Sequence, residues 1–288
     1  MTTIEEVTPV PSPRDGGADG GPLLDVRDLH VEFHTREGVV RAVNGVNYSV
    51  SAGETLAVLG ESGSGKSVTA QAIMGILDMP PAKIPQGEIR FRGQDMLTMS
   101  AEERRKIRGR RIAMIFQDAL SSLNPVLEPD LIIADEPTTA LDVTVQAQVM
   151  DLLAELQREY NMGLILITHD LGVVADVADK IAVMYAGRIV EQAPVHELYK
   201  RPAHPYTRGL LDSIPRLDQK GQELYAIKGL PPNLLRVPTG CAFNPRCPKA
   251  QDICRTEIPE LLAVTERDGG ELPGRASACH FWKETIHG

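Results

Sequence analysis

The eight residues Gly60–Ser67, Gly-Glu-Ser-Gly-Ser-Gly-Lys-Ser, restrict the possible folds of this chain more than any other stretch. They fit the pattern G-x-x-x-x-G-K-[ST], in which a glycine-rich loop joins a strand to a helix. The flanking residues have the required character. Thr55–Leu59 is a short apolar run that reads as a buried strand, and Val68–Met74 reads as a helix. In such a turn the glycines let consecutive backbone N–H groups face inward and ring an anion. The helix N-terminus adds a partial positive charge. Gly60, Ser62, Gly63, Ser64 and Gly65 are therefore expected to cradle phosphates. Lys66 is expected to reach the β- and γ-phosphates of ATP, and the Ser67 hydroxyl to ligate Mg²⁺.

At 288 residues the chain can hold one large domain, or one domain with an appendage. Its 42% hydrophobic content is that of a soluble globular protein. No apolar run reaches the ~18 residues of a membrane span, and the acidic, polar N-terminus does not read as a secretory leader. The net charge of −9 argues against a nucleic-acid partner. The basic cluster Arg104–Lys106 with Arg108–Arg111 reads as a solvated helix face.

Residues 1–22 are rich in Pro, Gly, Thr and Asp and read as a disordered tail. From Leu23 the pattern changes. Alternation over Leu24–Phe33 predicts a half-buried strand, and Val39–Val43 and Val46–Val50 predict two more. Together they form an antiparallel layer leading into the phosphate loop. Gly87–Gly93 and Arg111–Phe116 read as strands, and Ala101–Gly109 as a charged surface helix. Leu131–Ala134 is fully apolar and runs into Asp135 and Glu136. A central parallel strand should be apolar on both faces, and open α/β sheets bind ligands at its carboxyl end. Asp135 is thus expected to hold Mg²⁺, and Glu136 to polarise an attacking water. Val145, Val149, Leu152, Leu153 and Leu156 form the core stripe of a helix over Val145–Tyr160. Gly163–Thr168 is another buried strand. It ends at His169, which the topology returns to the same sheet edge. Lys180–Tyr185 and Arg188–Gln192 close this part as a strand pair.

With these motifs in place, the sequence resembles the ATP-binding subunits of ABC transporters, in the oligopeptide/dipeptide (and nickel) import branch. The residues that carry the resemblance are GESGSGKS at 60–67, IFQD at 115–118, SSLNP at 121–125, LIIADEPTTALDVTVQAQ at 131–148 and LITHDLGVVADVAD at 166–179, with a tail starting at His204-Pro205-Tyr206. The resemblance implies an α/β fold: a P-loop NTPase (RecA-like) core with the N-terminal antiparallel β layer. It implies an ATP-binding domain over 23–200 and a loop-rich, cysteine-containing extension over 201–288. It also assigns roles. Gln117 matches the Q-loop residue, Glu136 the catalytic glutamate and His169 the switch histidine. Asp142 matches the loop that crosses the dimer interface. Phe33 is the candidate for stacking on adenine.

One departure from the family pattern stands out. Relatives place a helical subdomain, ending in an L-S-G-G-Q signature, between the Q-loop and the strand bearing Asp135. Here Asn124-Pro125-Val126 is followed almost at once by Leu127–Asp130 and that strand, and Ser-Gly-Gly occurs nowhere in the chain. Most of that subdomain is therefore expected to be absent, with the join near 126–127. The resemblance implies a second ATP-binding subunit (a heterodimer), two membrane-spanning permease subunits and, indirectly, a substrate-binding protein. These would meet at the cytoplasmic face of the membrane. The expected function is ATP hydrolysis that energises di- or oligopeptide import. The alternatives are a nucleotide-binding subunit defective in hydrolysis or transport, and a non-transport ATPase acting on nucleic acid or ribosomes. The acidic charge and the peptide-branch tail count against the last.

The four cysteines all lie after residue 240. Cys241, Cys247, Cys254 and Cys279 have the spacing C-x5-C-x6-C-x24-C, unlike the short pairs of structural zinc sites. Four thiolates can hold an iron–sulfur cluster, and four reduced thiols are the other reading. The family resemblance associates this extension with a [4Fe–4S] cluster.

Overall fold

The computed structural model describes residues 21–116, 129–139, 141–214, 226–266 and 269–287. Gln117 and the expected join at 126–127 lie outside these residues.

The first sheet is antiparallel. It contains β1 (Leu24–Thr35), β2 (Gly38–Val50), β4 (Ala82–Lys83), β5 (Glu88–Phe91) and β6 (Gln94–Asp95). Their order is β2-β1-β5-β6, with β4 also paired to β1. The two strands expected at 39–43 and 46–50 are one strand. Val46 pairs with Leu29 and Asn44 with His30, which leaves Gly45 as an extra residue at φ +79°. The glycine absorbs a bulge that keeps the two expected strands continuous.

The second sheet has eight strands. β3 (Thr55–Leu59), β7 (Ile112–Ile115), β8 (Leu131–Asp135), β9 (Gly163–Thr168) and β10 (Lys180–Tyr185) run parallel. The antiparallel strands β11 (Arg188–Pro194), β12 (Leu262–Thr265) and β13 (Glu271–Ser277) extend one side. The full order is β12-β13-β11-β10-β3-β9-β8-β7. Every residue of β3, β8 and β9 is buried, as an all-apolar central strand requires. Alternation divides the core into two layers. Leu56 and Val58 of β3 join Leu24, Val26 and Ile89 beneath the first sheet. Ala57 and Leu59 face the opposite layer.

The helices cover these faces. α1 (Lys66–Met74) starts at the phosphate loop and ends at Gly75, φ +61°. α2 (Ala101–Ile107) opens with a capping box: the Ser100 hydroxyl accepts from the Glu103 N–H, and the Glu103 carboxylate accepts from the Ser100 N–H. The basic cluster beside it is only partly solvated, because Arg111 pairs with Asp130 and Arg108 donates to the Gly75 carbonyl. α3 (Val143–Tyr160) is capped by the Asp142 carboxylate, which accepts from the Val145 N–H at 2.9 Å. Val149 and Leu153 bury their side chains, but Leu152 is 44% exposed. The buried face is centred toward Met150, so Leu152 falls at its edge. α4 (Leu171–Val177) and α5 (Val195–Lys200) follow β9 and β11, and α6 (Pro205–Asp212) opens the extension. α7 (Asp252–Thr256) and α8 (Trp282–His287) complete it. With β12 and β13, these are the regular elements of an extension whose described residues 226–251 contain no helix or strand. Among the described residues no helix is long and apolar enough to cross a membrane.

Candidate functional site

Three adjacent strands deliver the candidate residues to one sheet edge. β3 ends in the phosphate loop, β9 in His169 and β8 in Asp135 and Glu136. The register aligns Leu59 with Thr168, and Ile167 with Asp135.

The loop is shaped by glycine at two points. A Cβ on Gly60 would collide with the Met184 carbonyl, and one on Gly65 with the Ala42 carbonyl. Gly65 is also at φ +103°, a region that side chains disfavour. The turn between β10 and β11 supports the loop, since Gly187 N–H donates to the Ser64 carbonyl at 2.9 Å. Inside the loop, Lys66 is buried and its Nζ donates to the carbonyls of Gly60 (2.7 Å) and Glu61 (3.1 Å). Burial lowers its pKa, and the nearby Glu136 and Asp135 charges oppose that shift. The Ser64 hydroxyl is buried with no hydrogen-bond partner among the described residues. A phosphate oxygen would satisfy both the ammonium and the orphaned hydroxyl, so the loop fits the anion its sequence predicts.

The Ser67 hydroxyl donates to Asp135 Oδ1 at 3.1 Å. Burial raises the Asp135 pKa and the Ser67 hydrogen bond works against it. A hydroxyl and a carboxylate at this spacing supply the oxygen donors that Mg²⁺ prefers. Glu136 follows at φ +50°, a strained conformation for a non-glycine residue. Its N–H donates to the Ile167 carbonyl (2.8 Å), and its carboxylate accepts from the Thr139 hydroxyl (3.0 Å). His169 Nδ1 lies 3.5 Å from the other Glu136 oxygen. The arrangement holds one carboxylate between a hydroxyl donor and an imidazole.

Two further expected residues make other contacts. Phe33 lies within β1 and packs against the core beneath the first sheet. Asp142 caps α3. Sequence reasoning missed the contacts on Glu61. Its N–H donates to the Tyr206 hydroxyl at 2.9 Å, and its carboxylate accepts two hydrogen bonds from Arg246, at 2.6 and 2.9 Å. Tyr206 lies within the tail motif noted in the sequence, but Arg246 is 185 positions from its partner and no local signal links the two.

The four cysteines are free thiols, and all four line one small cavity with Phe243 and Phe281. Burial pushes the Cys241 thiol up to about 11 and the Cys279 thiol to about 12. Such thiols stay protonated unless a cationic centre displaces the proton. Among the described residues no group of three His, Cys, Asp or Glu side chains is arranged to hold a metal ion.

A family profile described as ABC transporter matches residues 43–162. A second, described as Oligopeptide/dipeptide transporter, C-terminal region, matches 190–254. The chain is 41% identical over 343 aligned positions to the oligopeptide transport ATP-binding protein OppD of Salmonella typhimurium, covering 97% of this chain and 98% of that protein. It is 42% identical over 301 positions to the dipeptide transport ATP-binding protein DppD of Bacillus subtilis, covering 82% and 90%. With 343 aligned positions against 97% of 288 residues, about 60 positions of the Salmonella protein have no counterpart here. Among solved structures, a dimeric ATP-binding cassette in a post-hydrolysis state with ADP and Pi superposes with a TM-score of 0.53. That match is 19% identical and covers 60% of this chain and 98% of the other. The cbiO1 protein of Clostridium perfringens gives a TM-score of 0.50 at 24% identity, covering 62% and 90%.

Proposed function

Because the chain belongs to the ATP-binding subunits of ABC transporters, in their oligopeptide/dipeptide branch, we propose that it hydrolyses ATP to energise peptide import. The observation that carries this reading is the meeting of Lys66, Ser67, Asp135, Glu136 and His169 at the ends of β3, β8 and β9. Gly60, Ser62, Gly63, Ser64 and Gly65 cradle the phosphates of ATP. Lys66 exchanges its two carbonyl acceptors for phosphate oxygens. Ser67 and Asp135 would hold Mg²⁺, which neutralises charge on the phosphates when bound. Glu136 orients and deprotonates the attacking water, and His169 steadies the Glu136 carboxylate. Gln117 retains the Q-loop role that the resemblance gives it. Positioning and charge stabilisation supply the rate, as in other phosphoryl transfers. ATP turnover by the purified chain tests this reading, with Glu136→Gln as the control that binds without turnover. Turnover unchanged in that variant would overturn it.

The partners follow from the same reading: two permease subunits, a substrate-binding protein and a second ATP-binding subunit, here a different chain. Its place is the cytoplasmic face of the membrane. Residues 23–200 act as the ATP-binding domain and 201–288 as its extension. A second reading, nucleotide binding without transport, has one observation in its favour. The chain passes from Ile115 at the end of β7 to Leu131 at the start of β8 through residues 116–130 alone. That span leaves no room for a subdomain that offers a signature to the partner's ATP. Reconstitution with permease and partner subunits separates the two readings, since ATP-driven peptide uptake at a relative's rate would exclude the second.

The extension's cysteines are read as ligands of a [4Fe–4S] cluster. Support comes from the single small cavity that Cys241, Cys247, Cys254 and Cys279 share with Phe243 and Phe281. Iron and acid-labile sulfide at four atoms each per chain after anaerobic purification are expected, with broad visible absorption. Stoichiometric zinc without iron would overturn this reading.

A further inference from the structure

Glu61 is the second residue of the phosphate loop, and the motif leaves that position open. In this protein it is gripped from outside the nucleotide domain. The Arg246 guanidinium donates to both carboxylate oxygens of Glu61, at 2.6 and 2.9 Å. Its side chain is 5% exposed, against 26% for Glu61. It is itself held in place: Nε donates to the Lys228 carbonyl at 3.1 Å, and one terminal nitrogen to the Tyr185 hydroxyl at 3.2 Å. The guanidinium carbon lies 5.8 and 5.9 Å from the ring centroids of Tyr185 and Phe243. A planar fork fixed in this way matches a carboxylate in both distance and direction.

The position of Glu61 also bears on Lys66, because the Glu61 carbonyl accepts from Lys66 Nζ and from Ser64 N–H. Arg246 itself lies beside Cys247, in a turn where its N–H donates to the Phe243 carbonyl. One side chain thus spans from the cysteine-bearing segment 241–254 to the loop that surrounds the phosphate site.

We propose that Arg246 is a positioning residue for the phosphate loop, holding Glu61 so that the loop stays open and ordered for nucleotide. The effect on nucleotide rests on the reading of Gly60–Ser67 as an ATP site. The effect on the loop does not. The cysteine segment therefore reports its folded state to the nucleotide site through one ion pair.

Amide hydrogen exchange over residues 61–66 in the nucleotide-free protein is the primary test. Arg246→Ala is expected to speed exchange there, and Arg246→Lys to recover part of the protection by restoring charge without the fork. Mg-ATP dissociation constants are expected to rise about tenfold for Arg246→Ala, within the usual range of coupling between sites. Glu61→Ala should produce the same loosening while leaving segment 241–254 intact, which covers the case in which Arg246→Ala misfolds. Combining Glu61→Ala with Arg246→Ala should add nothing further. Unchanged loop exchange in both single variants, or fully additive effects in the double variant, would overturn the proposal. A wild-type chain that fails to bind Mg-ATP would remove the ATP-site reading, and loop exchange alone would then decide the role of Arg246.

Discussion

The Ser67 hydroxyl and the Asp135 carboxylate, 68 positions apart in sequence, form a 3.1 Å hydrogen bond at the mouth of the phosphate loop. The first turn of α1, which follows β3, and the carboxyl end of β8, separated from β3 by β9, thus place a neutral and an ionisable oxygen donor where a divalent cation would need both. Ser67→Ala and Asp135→Asn should each weaken nucleotide binding in Mg²⁺ and change it little in EDTA. The loss should at least match the ~10–100-fold typical of damaged metal sites. Paired titrations with and without chelator check this.

Glu136 is held by Thr139 on one oxygen and faced by His169 on the other. Glu136→Gln keeps the shape and removes the base. ATP affinity should persist while turnover falls by about 10²–10⁴-fold, the usual contribution of a general base. Thr139→Val should lower turnover much less, because it loosens the carboxylate without neutralising it. Single-turnover hydrolysis separates the two effects.

Stability should respond to pH through two buried groups with opposite signs. Glu191 accepts from the N–H groups of Ala203 and His204, and burial raises its pKa to about 7. The folded state then holds a proton that the unfolded chain has lost, so stability falls as pH rises from about 4.5 to 7. The full change is ~3 kcal/mol at 1.36 kcal/mol per pH unit. His204 is pushed down to about 3 by burial, so its contribution is lost as pH falls from about 6.5 toward 3. Urea denaturation of Glu191→Gln should remove the decline above pH 6.5. His204→Asn, which keeps a capping acceptor for the Tyr206 N–H, should flatten the acid limb.

Gly65 begins α1 with φ +103°, and a side chain there would meet the Ala42 carbonyl. Gly65→Ala should cost ~1–3 kcal/mol in stability and also weaken ATP binding, because the loop must shift to relieve the contact. Chemical denaturation and nucleotide titration on the same preparation measure both.

The parts of the fold legible in the sequence were those fixed by local pattern. β3, β8 and β9 lie within a residue of their apolar runs, because a strand buried on both faces tolerates no polar residue until its end. The convergence of Asp135, Glu136 and His169 at those strand ends was legible for the same reason. Patterns that mean different things in different surroundings were misread. Val39–Val43 and Val46–Val50 read as two strands across Asn44-Gly45, but pairing with β1 makes them one strand with a bulge there. Leu152 matches helical spacing yet lies at the margin of the buried face. The Arg246–Glu61 pair left no trace in sequence, because neither residue type is unusual at its position and only the folded chain brings them together.

The pairing of β13 with β11 has a practical consequence. The extension is joined edge to edge with the nucleotide-binding sheet, so a chain cut near residue 200 would leave the outer backbone of β11 unpaired. Exposed strand edges recruit other chains. Such a truncated protein is expected to self-associate or precipitate, and its loss of activity would reflect an uncovered edge as much as missing cysteines.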